Sequence, residues 1–137
     1  MLFRSVEDDA TLRSDLAGRL ELWGHEVFEA GNAKAGFQLI VQKKPELILC
    51  DICMPSESGF ELLKRVRALG VEHADTPFIL VSALREEKAT FYGEYCGANS
   101  YITKPIDYKE LYDKVHSHLS RPKARFSGIG AVFSLFR

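Results

Sequence analysis

Strands that are apolar almost without a break place the tightest constraint on how this chain folds. Leu47-Ile48-Leu49-Cys50 runs without alternation and stops on Asp51, and Phe78-Ile79-Leu80-Val81 does the same and stops on Ser82. A strand with one face in water alternates apolar and polar residues. A strand covered on both faces does not, which is the habit of parallel sheets sandwiched between helices. Helical periods lie between these runs. Leu12, Leu16, Leu20 and Trp23 share one face of a predicted helix over 10–23 that stops at Gly24. Asn32 is placed to cap a second helix, with Ala33, Phe37 and Ile40 inward, ending near Lys43-Lys44-Pro45. Leu62, Val66 and Leu69 mark a third, stopped by Gly70. A fourth is expected over 86–96, weakened by Gly93. Asp107 caps a fifth, with Leu111, Val115 and Leu119 on one face.

The remaining strands are expected at 2–7, 25–30 and 100–103. Strands and helices then alternate throughout, which implies a five-stranded, doubly wound parallel α/β domain with right-handed crossovers. The first strand fits badly. Leu2–Glu7 carries Arg4 and Ser5 where a central parallel strand should be apolar on both sides.

A length of 137 residues, 46% hydrophobic and 27% charged, suits one globular domain with a single core. Four of the 18 basic residues, Arg121, Lys123, Arg125 and Arg137, fall in 121–137, which has no acid. That leaves 14 basic against 19 acidic residues in 1–120, a net of −5. The balance makes no case for nucleic-acid binding. Three cysteines (Cys50, Cys53, Cys96) suggest no disulfide framework and a reducing, cytoplasmic setting. No stretch is long and apolar enough to span a membrane, and the N-terminus lacks the apolar core of a signal peptide.

Ligands of open parallel sheets sit outside the carboxyl ends of the strands. Here those ends carry reactive groups: Glu7-Asp8-Asp9, Asp51, Ser82, and Lys104-Pro105. Clustered carboxylates repel one another, and a hard divalent cation such as Mg2+ resolves the conflict. Lys104 offers positive charge and Ser82 a donor to the oxygens of an incoming phosphoryl group. Asp51 is then the nucleophile that accepts it, with placement and charge neutralisation supplying most of the catalysis.

The motifs V-E-D-D (6–9), L-C-D-I-C-M-P (49–55) with Gly59, V-S-A (81–83) and Y-I-T-K-P (101–105) resemble, in order and spacing, the receiver domain of bacterial two-component response regulators, of the stand-alone, chemotaxis-regulator type. The resemblance covers residues 2–120. It implies a flavodoxin-like (βα)5 fold with strand order 2-1-3-4-5 and a receiver over 1–120, followed by a tail, 121–137, of unknown role. It implies that Asp51 takes a phosphoryl group from a sensor histidine kinase or phosphotransfer protein, and that the chain catalyses its own phosphorylation and dephosphorylation without being an enzyme in the ordinary sense. It further implies that Mg2+ is held by Glu7, Asp8, Asp51 and the backbone carbonyl of Cys53. Lys104, before a cis Pro105, would contact the phosphoryl group. Ser82 would be the switch hydroxyl and Tyr101 the switch aromatic. Output would pass through the fourth helix, fifth strand and fifth helix to a downstream protein, with dimerisation on phosphorylation a possible consequence.

Other readings stand beside this one. An aspartyl-nucleophile phosphatase of the haloacid-dehalogenase kind wants an aspartate two residues after its nucleophile, where this chain has Cys53. A phosphate-independent binding module is given room by Arg4. The Cys50-x-x-Cys53 spacing allows a thioredoxin-like redox pair or half a zinc site, but structural cysteines are the plainer reading. Asp9 reads as a helix-start residue and His116 and His118 as solvated surface. The aromatic residues Phe91, Tyr92 and Tyr95 divide between core and partner surface. Ser58 stands where an aspartate is common, with little consequence expected. The tail is basic first and apolar last. It reads as a disordered or loosely docked terminus, as a partner-docking or membrane-surface segment, or as the start of an output domain. Phe126, Phe133 and Phe136 would be exposed in a free tail, which favours docking.

Overall fold

The computed structural model describes residues 14–52, 57–70, 75–82, 97–119 and 131–135. In chain order these form α1 (residues 14–22), β1 (Glu26–Ala30), α2 (Ala33–Lys43), β2 (Leu47–Asp51), α3 (Gly59–Arg67), β3 (Phe78–Ser82), β4 (Ser100–Thr103), α4 (Tyr108–Leu119) and β5 (Ala131–Leu135). The five strands make one all-parallel sheet in the order β1-β5-β2-β3-β4.

Both faces of the sheet are covered, as the unbroken apolar runs require. Every residue of β2 and β3 is buried. On one face Ile48, Cys50, Phe78 and Leu80 pack against Ile40 of α2 and Leu62, Leu63 and Val66 of α3. On the other, Leu47, Leu49, Ile79, Val81 and Ile102 pack against Leu16 and Leu20 of α1 and Leu111 and Val115 of α4. Successive residues of one strand thus feed two different cores, the period-2 consequence of strand geometry. The result is the doubly wound, flavodoxin-like fold.

Local signals set the helix ends. Asn32 Oδ1 accepts from the Ala35 amide at 2.9 Å, and Asp107 Oδ1 accepts from the Lys109 and Glu110 amides at 2.9 and 3.3 Å. Ser58 stands where an aspartate is common, and its Oγ accepts from the Glu61 amide at 3.3 Å and caps α3, a job either residue can do. Gly24 (φ 94°) and Gly70 (φ 107°) take the left-handed conformation where the first and third helices were expected to stop.

Two features depart from expectation. His116 and His118 are not solvated surface. His116 Nε2 lies 3.0 Å from Nε2 of the buried His25, its Nδ1 lies 2.8 Å from the Tyr112 carbonyl oxygen, and His118 Nε2 lies 2.9 Å from Ser100 Oγ. Trp23 stacks edge-on to Tyr112 at 5.0 Å, so this aromatic group ties the end of α1 to α4. The second departure is in the sheet. The place between β1 and β2, where Leu2–Glu7 was expected, is filled by Ala131–Leu135 from the tail. These residues pair with Glu26–Ala30 on one side, and Val132–Leu135 pair with Leu47–Cys50 on the other. Residues 2–7 and the expected fourth helix at 86–96 lie outside the described residues.

Candidate active site at the carboxyl edge of the sheet

Asp51 is the last residue of β2 and only 4% exposed. A carboxylate at that depth needs a partner, and Lys104 provides one: its Nζ donates to Asp51 Oδ2 at 2.7 Å. Lys104 reaches it because β4 ends at Thr103, level with Ser82, and the Lys104 amide donates to the Ser82 carbonyl oxygen at 2.9 Å. The Lys104–Pro105 peptide is cis. Asp51 is level with Val81, so Ser82, 1% exposed, closes β3 one residue beyond the acid. Lys104 and Asp51 are therefore in contact at one edge, and Ser82 ends the strand that lies between theirs.

The turn after Asp51 is fixed by its backbone. The Ile52 amide donates to the Val81 carbonyl oxygen at 3.0 Å and the Gly59 amide donates to the Ile52 carbonyl oxygen at 2.8 Å, so the start of α3 is drawn over the end of β2. Sequence reasoning placed Gly59 in the motif but gave it no physical job. The close approach supplies one.

Of the residues expected to act, Asp51 and Lys104 are in contact, and Ser82 stands at the carboxyl end of the strand between them. Tyr101 is half-buried in β4 and packs against the cluster beneath α2 and α3, while its carbonyl oxygen accepts from Lys114 Nζ at 2.9 Å. Glu7, Asp8, Asp9, Cys53, Phe91, Tyr92 and Tyr95 lie outside the described residues. Among the described residues no group of three or more metal-ligating side chains assembles, and no helix is long and apolar enough to cross a membrane.

Cys50 is fully buried, and its Sγ lies 3.3 Å from the Asp51 carbonyl oxygen. Burial first, and the nearby Asp51 and Glu57 charges second, push its thiol well above the ordinary range. A redox cysteine needs the opposite, an exposed thiol with a depressed pKa. The buried structural role is the one that fits Cys50.

Sequence reasoning gave no role to Arg67, at the end of α3. Its guanidinium donates to the carbonyl oxygens of Thr76 (2.7 Å) and Gly97 (2.8 Å from Nη2) and to Asn99 Oδ1 (2.9 Å), and Asn99 Oδ1 also accepts from the Phe78 amide at 2.8 Å. This clip gathers the lead-ins to β3 and β4 at the amino edge, opposite the acid. Burial lowers the Arg67 pKa from its usual value, and Asp75 opposes that shift.

The parallel sheet thus carries an acid, a hydroxyl and a lysine at adjacent carboxyl ends, and comparison with known proteins gives the family. A model of the response regulator receiver domain matches residues 4–116, and the chain belongs to that family. It is 38% identical over 116 residues to the phosphate regulon transcriptional regulatory protein PhoB of Pseudomonas aeruginosa, covering 85% of this chain but about half of PhoB. It is 33% identical over 115 residues to Protein PilH of the same organism, covering 84% of this chain and 94% of PilH. Among solved structures, a putative response regulator from Chloroflexus aurantiacus superposes with a TM-score of 0.77 at 32% identity, covering 83% of this chain and 93% of that one. A Francisella response regulator receiver domain gives 0.77 at 29%, covering 85% and 93%. Receiver domains of this family act in two-component signalling with histidine kinases and downstream effectors, and as a family bind Mg2+ in an acidic pocket.

Proposed function

We propose that this chain is a phosphorylation-controlled switch in which Asp51 accepts a phosphoryl group from the phosphohistidine of a sensor kinase or phosphotransfer protein in the cytoplasm. The observation that carries this reading is the 2.7 Å contact between Lys104 Nζ and Asp51 Oδ2 at the edge where Ser82 also ends a strand. An oxygen of the Asp51 carboxylate attacks phosphorus in line as the bond from phosphorus to the donor's imidazole nitrogen breaks, and the imidazole keeps the electron pair. The acceptor needs no deprotonation, because a carboxylate is already the nucleophile. The Lys104 ammonium, poised on Asp51, turns to the phosphoryl oxygens as their charge develops. Ser82 donates its hydroxyl to another of them.

Asp51 also suits a metal site in donor chemistry: it is a hard oxygen at a strand end, the type of ligand Mg2+ takes, one or two carboxylates at a time. Glu7, Asp8 and the Cys53 carbonyl are the further ligands proposed. The cation, when bound, neutralises charge between Asp51 and the phosphoryl oxygens.

The switch follows from the new charge. Ser82 moves toward the phosphoryl group and Tyr101 turns inward behind it. A conformation already present gains population by no more than its differential affinity for the phosphorylated acid. The output surface is β4 and α4 with the helix expected over 86–96, read by a protein partner and not by nucleic acid. Dimerisation on phosphorylation belongs to the same reading.

The test is a thermal melt with beryllium fluoride, an unreactive phosphoryl mimic. Wild type is expected to melt higher only when both beryllium fluoride and Mg2+ are present, and Asp51→Asn and Lys104→Met not to respond. Equal stabilisation of Asp51→Asn would remove Asp51 as the acceptor.

A further inference from the structure

His25 and His116 meet at the amino edge of the sheet, opposite the edge that carries Asp51. Their Nε2 atoms are 3.0 Å apart and their ring centroids 4.9 Å apart. His25 directly precedes β1, and His116 lies in the last turn of α4, two residues before the histidine that reaches Ser100 at the start of β4. They are 91 residues apart in the chain, so only the fold joins them. Neither takes part in the chemistry proposed at Asp51.

Each ring is positioned by something other than its partner. At the end of α1 the Gly24 amide donates to the Glu21 carbonyl oxygen at 3.0 Å and the His25 amide to the Leu20 carbonyl oxygen at 3.2 Å, with Gly24 at φ 94°. This double bond pair is a tight left-handed helix stop, and it fixes the backbone that carries the buried His25. His116 is fixed through its other nitrogen. Its Nδ1 lies 2.8 Å from the Tyr112 carbonyl oxygen, which can only accept. Nδ1 therefore carries a hydrogen, and in the neutral ring Nε2 presents its lone pair toward His25. Metal-ligating histidines are held in this way, with one nitrogen donating to a carbonyl and the other left to coordinate. The rings of Tyr112 and Trp23, 4.0 and 5.8 Å from that of His116, restrict its swing.

Spacing and charge agree with this. Bonds of about 2.0–2.1 Å to one zinc ion put two nitrogens about 2.9 Å apart at a right angle and about 3.4 Å apart at the tetrahedral angle. The observed 3.0 Å falls in that range, so an ion enters with little movement of either ring. The carboxyl-terminal ends of both α1 and α4 lie here, and the partial negative charge of helix ends of this kind favours a cation. Paired imidazoles suit Zn2+, Cu2+ or Ni2+ and not Mg2+, which takes hard oxygens.

We propose that His25 and His116 form a two-imidazole site for a divalent transition-metal ion of the zinc class, with Nε2 of each as ligand and water completing the shell. The hydrogen between the two nitrogens leaves as the ion enters, carried on the other nitrogen of its ring or passed to water. The bound ion clamps the end of α1 and the start of β1 to the last turn of α4. The site is separate from the Mg2+ proposed at Asp51 in place and in donor chemistry, and it stands whether or not Asp51 accepts a phosphoryl group.

The experiment is long-range proton–nitrogen NMR of the histidine rings in the full chain, stripped of metal by chelation and titrated with Zn2+ and, separately, with Mg2+. Calorimetry with Zn2+ on wild type, His25→Gln, His116→Gln and His118→Gln gives the affinities. Zn2+ is expected to move the Nε2 signals of His25 and His116 to the position of metal-bound nitrogen and to leave His118 unmoved, and Mg2+ to move none of them. His25→Gln and His116→Gln should each weaken Zn2+ binding by about 10–100-fold or more, since losing a ligand costs at least what losing a ligand's supporting partner does. His118→Gln should bind as wild type does. The spectra read the wild-type fold, so they decide the question even where a variant fails to fold. Unmoved His25 and His116 signals at saturating Zn2+ would overturn the proposal. So would an affinity that survives both substitutions, which would place the ion on the cysteines or elsewhere.

Discussion

A Cβ on residue 59 would lie 2.6 Å from the carbonyl oxygen of Asp51 and 3.0 Å from Cα of Ile52. Glycine is therefore required at the start of α3 by the backbone of the acid it faces, not by its own dihedral angles. Both neighbours are main chain and cannot swing aside. Gly59→Ala should push α3 off the end of β2, costing about 1–3 kcal/mol as overpacking, and displace Asp51 from Lys104. Chemical denaturation reads the first effect and the rate of labelling by acetyl phosphate the second. Wild-type values for both would show that the turn relaxes without cost.

Arg67 is expected to act on stability alone. Arg67→Ala leaves the Thr76 and Gly97 carbonyl oxygens and Asn99 without their shared donor. Losing hydrogen bonds to a charged group in a half-buried place costs about 1.5–3 kcal/mol. The clip sits at the edge opposite Asp51, so the labelling rate of the folded fraction should stay that of wild type. Arg67→Lys should recover little, since an ammonium cannot hold three acceptors in the guanidinium's fork.

Cys50 gives a pH signature. Burial keeps its thiol protonated in the folded chain above the pH at which the unfolded thiol ionises, near 8.5. Above that pH the unfolded state binds fewer protons than the native state, so stability falls as pH rises, by up to about 1.4 kcal/mol per unit from this group. Below it the contribution is fully present and constant. Cys50→Ala, though less stable overall, should therefore lose stability less steeply between pH 8.5 and 10 when denaturation curves are compared with wild type. Parallel slopes for the two proteins would place the thiol in contact with solvent.

Much of the domain was legible because the signals are local. Asn32 and Asp107 cap the helices they precede, Gly24 and Gly70 follow the helices they stop, and the unbroken runs at 47–50 and 78–81 are the two fully buried strands. Asp51, Ser82 and Lys104 could be grouped because parallel strands put all their carboxyl ends on one edge. Long-range partners left no such trace. Nothing near Arg67 announces that Gly97 and Asn99, some thirty residues on, will accept its hydrogen bonds, and nothing beside His116 points to His25. The central strand was missed for the same reason. Pairing with β1 and β2 is non-local, and four apolar residues and a serine in a basic tail look like a terminus. The clue was the misfit of Arg4 and Ser5 in the place expected to be central, together with phenylalanines in the tail that had nowhere to go.

The central claim is that Asp51 accepts a phosphoryl group. Its most direct test is intact-protein mass after brief incubation with acetyl phosphate and Mg2+, beside Asp51→Asn and a metal-free control, sampled from the first seconds. The expected result is a single added phosphoryl on wild type, absent from Asp51→Asn and absent without Mg2+. An unmodified wild-type chain at every time point, or an adduct that survives Asp51→Asn, would contradict the account.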